Sequence, residues 1–98
     1  MDINIKHGEE MVVALQGRLD TTTSQELEAV LEKEEVKENL VVLEFSELEY
    51  ISSAGLRLLL SLKKKLEKDN KKLEIRNIND VVKEVFNVTG FINILDIK

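Results

Sequence analysis

Apolar and polar residues change period several times along the chain, and each change marks an element. Ile3 and Ile5 alternate with Asn4 and Lys6, the two-residue period of a half-buried strand. His7-Gly8-Glu9 interrupts it as a turn, and residues 11–15, MVVAL, form a second strand with an almost continuous apolar face. So short a connection predicts an antiparallel hairpin with residues 3–6 at the sheet edge. Residues 17–20 end the second strand. Thr23 and Glu26 have the spacing of a capping box, opening a helix whose Leu27, Val30 and Leu31 share one face. The acidic EKEE that follows reads as the solvated end of that helix. Residues 40–43, continuing to Phe45, make an apolar β-rich run of the kind found in central strands covered on both faces.

In the second half, a helix runs from about Ser53 to about Asp69, with Leu56, Leu59, Leu60 and Leu66 at helical spacing. Lys63, Lys64 and Lys65 fall in its C-terminal half, where positive charge suits the helix dipole, and read as a solvated face. Leu73 and Ile75 alternate with Glu74 and Arg76 as a further strand. Asn79 is placed to cap a helix carrying Val82, Val85 and Phe86, which stops near Gly90. The tail, FINILDIK, is apolar enough to pack back on the domain, but its period favours neither helix nor strand.

This order predicts an α/β fold with a mixed, mostly parallel sheet of four to five strands, an N-terminal antiparallel hairpin and packed helices. The later strands are joined by right-handed helical crossovers. If residues 11–15, 40–45 and 73–76 run parallel, their C-terminal ends share one edge of the sheet. Residues 17–20, 52–55 and 77–79 then converge where open α/β sheets usually bind ligands and partners.

Composition narrows what that edge does. A chain of 98 residues, 43% hydrophobic and 34% charged, reads as one soluble domain over residues 1–98. Its 14 basic and 19 acidic side chains leave a net charge of −5, a poor match for nucleic acid or anionic lipid. There is no cysteine. Residues 1–10 lack the apolar core of a signal peptide, and no apolar run approaches membrane length. The expectation is a cytoplasmic protein without direct membrane insertion.

The chemistry for an enzyme is thin, and no cofactor site is expected. His7 is the only histidine and reads as an exposed turn residue, so a small hydrolase using Ser52 or Ser53 lacks its base. No His, Cys, Asp and Glu residues have metal-ligand spacing. GRLD and SSAG hold one glycine each and are not phosphate loops. ISSAGL, residues 51–56, is more informative. Serine is a good N-cap, and Ala54-Gly55 permits close packing. A hydroxyl at a helix N-terminus is also suited to phosphorylation, because free N–H groups and the helix dipole favour a phosphate there. One serine can serve both roles.

The segment LVVLEFSELEYISSAGLRLLLSLKKKL resembles the core of a STAS domain, the fold of bacterial anti-sigma factor antagonists. GRLDTTTSQELEAVL resembles that family's first strand–helix segment, and VVKEVFNVTGFINILDI its C-terminal region. GRLD carries little alone, but with YISSAGLRLL at this separation the pair is specific. In that family a serine at the start of the second helix is phosphorylated by a partner anti-sigma factor, itself a serine kinase. The family pattern Asp-Ser-Ser/Thr-Gly-Leu implies Ser53 as acceptor, with Ser52 in the aspartate position as the alternative. Asp20 matches an acidic position near the acceptor, and Glu44 replaces an aspartate often found on the central strand. The implied partner surface is Asp20, Ser52, Ser53, Ala54, Gly55 and Leu56.

The resemblance implies that the unmodified protein binds the kinase and releases a sigma factor. Phosphorylation would inactivate it, and a metal-dependent protein phosphatase would restore it. The rival expectation is a STAS scaffold subunit of a membrane lipid-transport complex, in which the serine is only a cap.

Overall fold

In the computed structural model, which describes residues 1–98, the strands form one sheet in the order β1-β2-β3-β4-β5. The elements are β1 (Asp2–Lys6), β2 (Met11–Leu19), α1 (Thr21–Lys33), β3 (Leu40–Ile51), α2 (Ser53–Lys68), β4 (Lys72–Arg76), α3 (Asp80–Thr89) and β5 (Asp96–Ile97). β1 pairs antiparallel with β2 at one edge, and all other neighbours are parallel. A helix bridges each parallel step, as a crossover requires.

The two-residue period explains the core. Register aligns Met11, Val41 and Leu73 in one row, and Val13, Leu43 and Ile75 in the next. All six are buried, and they join Leu27, Leu59, Leu66, Val82 and Phe86 from the three helices in a single cluster. Each such side chain contributes about 1.5–3 kcal/mol on leaving water.

The opposite face is covered too, but not by helices. Val12, Val42 and Glu74 form a row there, and Val42 is fully buried yet outside the helix-covered core. A polar clasp spans this face of the sheet. Arg76 donates to Glu10 at 2.9 and 3.1 Å and to Glu74 at 3.0 Å. Running from β4 to the residue before β2, the clasp crosses β3 at Val42. An apolar run on the central strand therefore does not require helices on both faces.

Two strands extend further than their patterns indicate. β2 continues past residue 15 to Leu19, and β3 past Phe45 to Ile51. Register shifts between Ala14 and Gln16 and between Gly17 and Arg18 break the alternation, and Gly17 has φ of 111°, which glycine adopts readily. The tail resolves into a 3-10 turn at Phe91–Asn93 followed by β5.

Candidate functional site

Leu19 and Ile51 face each other as the last residues of β2 and β3. The next residue in each segment, Asp20 and Ser52, is already the N-cap of a helix. Two helix N-termini thus stand side by side with no loop between strand and helix. Asn79 caps α3 by accepting from Val82 N–H at 2.7 Å, and its amide donates to Leu48 C=O on β3 at 3.0 Å. The three segments expected at this edge are brought together there.

The first cap corrects the assignment to Thr23 and Glu26. Asp20 accepts from Thr23 N–H at 3.0 Å, while Asp20 N–H donates to the Thr23 hydroxyl at 2.8 Å. Thr23 is therefore the third residue of the helix and not its cap. The carboxyl accepts from the Thr23 N–H and also from its hydroxyl at 3.1 Å, which holds it below the usual aspartate range. Asp20 is an anion already committed to its own helix. Beside it, the Arg18 guanidinium lies 4.6 Å over the Tyr50 ring, a cross-strand pair that sequence spacing alone does not reveal.

The two serines differ. Ser52 is half-buried; its N–H donates to Leu19 C=O at 2.9 Å and its hydroxyl accepts from Gly55 N–H at 3.4 Å. Ser53 is the first helical residue, exposed, and its hydroxyl has no partner within the chain. Here the N–H groups of the first turn also lack intrahelical acceptors.

Gly55 and Leu56 lie beneath that surface. A Cβ on Gly55 would stand 2.7 Å from Ile51 Cγ1 and 3.0 Å from Leu19 Cγ, so only glycine lets α2 start this close to the sheet. Leu56 is 3% exposed and belongs to the core. Ala54 is half-buried. Asp20, Ser52, Ser53 and Ala54 therefore form the outward surface, and Gly55 and Leu56 fix its height. Glu44 lies further back on β3, where its carboxylate accepts from the Asn77 amide at 2.7 Å.

The lone histidine is at the other end of the sheet. His7 precedes β2, and its ring nitrogens meet Glu34 and Glu38. Glu34 follows the last residue of α1, so EKEE is not merely a solvated end. His7 therefore lies at the far end of the sheet from Ser52 and Ser53.

Comparison with known proteins agrees with this architecture. The STAS domain profile matches residues 2–98. BtrV of Bordetella bronchiseptica, assigned as an anti-sigma factor antagonist, is 36% identical over 88 residues, 89% of this chain and 76% of that protein. The anti-sigma-B factor antagonist of Listeria monocytogenes is 25% identical over 99 residues, covering all of this chain and 87% of that one. The anti-sigma factor antagonist SpoIIAA of Bacillus, in its unphosphorylated form, has the same fold, with a TM-score of 0.82 at 20% identity. That alignment covers 99% of this chain and 88% of SpoIIAA. With the profile spanning all but the first residue, the chain belongs to the STAS domain family.

Proposed function

We propose that the chain is an anti-sigma factor antagonist that acts as a phosphorylation-controlled binding module, with Ser53 as the acceptor. The observation that carries this reading is the contrast between the serines. Ser53 presents a free, exposed hydroxyl at the start of a 16-residue helix, while Ser52 is engaged as the cap. The names of the relatives support it, as does the existence of SpoIIAA in both phosphorylated and unphosphorylated forms.

The unmodified surface around Asp20, Ser52, Ser53 and Ala54 binds an ATP-dependent anti-sigma serine kinase, which releases its sigma factor. The kinase then moves the γ-phosphoryl group of ATP to Ser53. The Oγ–P bond forms, the bond from Pγ to the bridging oxygen breaks, ADP leaves, and the hydroxyl proton passes to a base on the kinase. Nucleotide, metal and base are all the kinase's, so the antagonist is a substrate and binding partner without catalysis of its own. A metal-dependent phosphatase returns the hydroxyl by hydrolysis. This exchange belongs in the cytoplasm, and no helix here is long and apolar enough to cross a membrane.

Incubation with candidate kinases and ATP, followed by mass spectrometry, tests the reading. Phosphate is expected on Ser53, and Ser53→Ala should stay unlabelled while Ser52→Ala is labelled. The reverse result would make Ser52 the acceptor. No labelling by any genomically linked kinase would favour a scaffold subunit of a lipid-transport complex.

A further inference from the structure

The chain has three arginines, and two of them are engaged. Arg76 pairs with Glu10 and Glu74, and Arg18 lies over Tyr50. Arg57 is exposed and takes part in none of the ion pairs of the fold. It follows Ser53 by four residues on α2, so the two side chains share a face one turn apart. Long side chains on a helix lean toward its N-terminus, which aims a guanidinium at position 57 back at the turn that Ser53 begins.

Arg57 also borders a groove beside that turn, and Ser53 itself does not line it. The groove, of about 340 Å³ between the first halves of α1 and α2, is lined by Arg57 and Ala54, with Thr21, Ser24 and Ser61 among its polar residues. Ser24 is 7% exposed and its hydroxyl has no partner, an unused polar group on the wall of the groove. Glu28 is the one carboxylate lining the groove, and it forms no ion pair with Arg57.

We propose that Arg57 is the positioning residue of the phosphorylated state: its guanidinium turns back one helical turn and pairs with the phosphate on Ser53. The proposal rests on Ser53 being the acceptor. A guanidinium fork matches two phosphate oxygens, and an acidic group four residues before a basic one is the favourable orientation on a helix. No existing ion pair is broken, so the clamp forms without a competing cost of that kind. The phosphate is then held against the free N–H groups of α2, on the protein's own surface. Phosphorylation thus ties Arg57 to the phosphate as well as adding negative charge.

The test uses chain made with phosphoserine at position 53 by synthesis, so that it does not depend on a kinase. Titration by ³¹P NMR reads the second ionisation of the phosphate. The carboxylates facing this turn, Glu28 across the groove and Asp20 at the neighbouring cap, both raise that pKa, so a depression reports the cation and the helix terminus. Relative to wild type, Arg57→Gln is expected to raise it by about 0.2–0.4 units, the size of an exposed i,i+4 pair, and Arg57→Lys by less. Equal values for wild type and Arg57→Gln, with circular dichroism unchanged, would overturn the clamp. If Arg57→Gln does not fold, the Arg57 Nε–H resonance of wild type decides. It should shift on phosphorylation, and an unmoved resonance would also overturn the clamp. Absence of labelling by any kinase would instead count against Ser53 as the natural acceptor and leave this result standing.

Discussion

The two ends of the sheet handle their polar groups differently. Where β2, β3 and β4 finish, the helix caps are local: Asp20 with Thr23, Ser52 with Gly55 and Asn79 with Val82 are each three residues apart, beside longer ties from Asn79 to Leu48, Asn77 to Glu44 and Arg18 to Tyr50. At the other end the contacts reach across the sequence. His7 Nδ1 lies 2.8 Å from Glu38 and Nε2 2.5 Å from Glu34, and Gly8 N–H donates to Glu38 at 3.2 Å. Lys71 Nζ donates to Val36 and Glu38 C=O at 2.9 and 2.8 Å. These contacts tie the loop after α1 to the β1–β2 turn and to the approach to β4. Local caps satisfy a helix terminus from within and leave the outer hydroxyl of Ser53 unused. Long-range ties consume the groups that make them. One end is closed by its own chemistry, while the other is finished and still open to a partner.

The strongest way to break this contrast is to lift α2 from the sheet. Gly55→Ala should cost about 1–3 kcal/mol in urea denaturation, because its Cβ meets the buried side chains of Ile51 and Leu19. A neutral result would mean that α2 does not start so close to β3. Next is the division between the serines. Ser52→Ala should lose about 0.5–1 kcal/mol as a cap, and Ser53→Ala should stay within about 0.5 kcal/mol of wild type. Equal and large losses would show that Ser53 is structural too.

The smallest effect belongs to the closed end. Hydrogen bonds to the carboxylates of Glu34, then Glu38, raise the His7 pKa above 6.5. For Glu38, burial opposes ionisation, but hydrogen bonds from its own N–H, His7 and Gly8 outweigh it and lower its pKa. A raised histidine contributes stability that is fully present below about pH 6.5 and fades as pH rises through the folded-state value. The difference in denaturation midpoint between wild type and His7→Gln should therefore shrink on going above pH 6.5. A difference independent of pH would remove the ion pairs from the account.

Much of this contrast is legible in the sequence, and the limits have physical causes. The parallel strands and the Asn79 cap follow from periods of two and 3.6 and from a local capping pattern, which one segment contains by itself. The extension of β2 to Leu19 was hidden because a bulge at Gly17 interrupts the alternation, and the polar Gln16 and Arg18 look like the end of a strand. The capping box was misplaced because Thr23 fits both Thr-x-x-Glu and Asp-x-x-Thr. The strand's reach to Leu19 decides for Asp20. His7 with Glu38 spans 31 residues and leaves no local trace. The resemblance implies a surface around Ser53; the division of those residues into outward and anchoring ones needs the packing of Gly55 and Leu56.

The most direct test of the open end as a phosphorylation-gated surface is titration calorimetry against the cognate anti-sigma kinase with ADP present. A phosphate on Ser53 adds about −1.5 to −2 charges, which a helix N-terminus tolerates but a close-packed interface must desolvate. The phosphorylated protein should bind about a hundredfold or more weakly than the unmodified one, with near-native circular dichroism. Equal affinities of the two forms would contradict the switch and leave the edge as a scaffold surface.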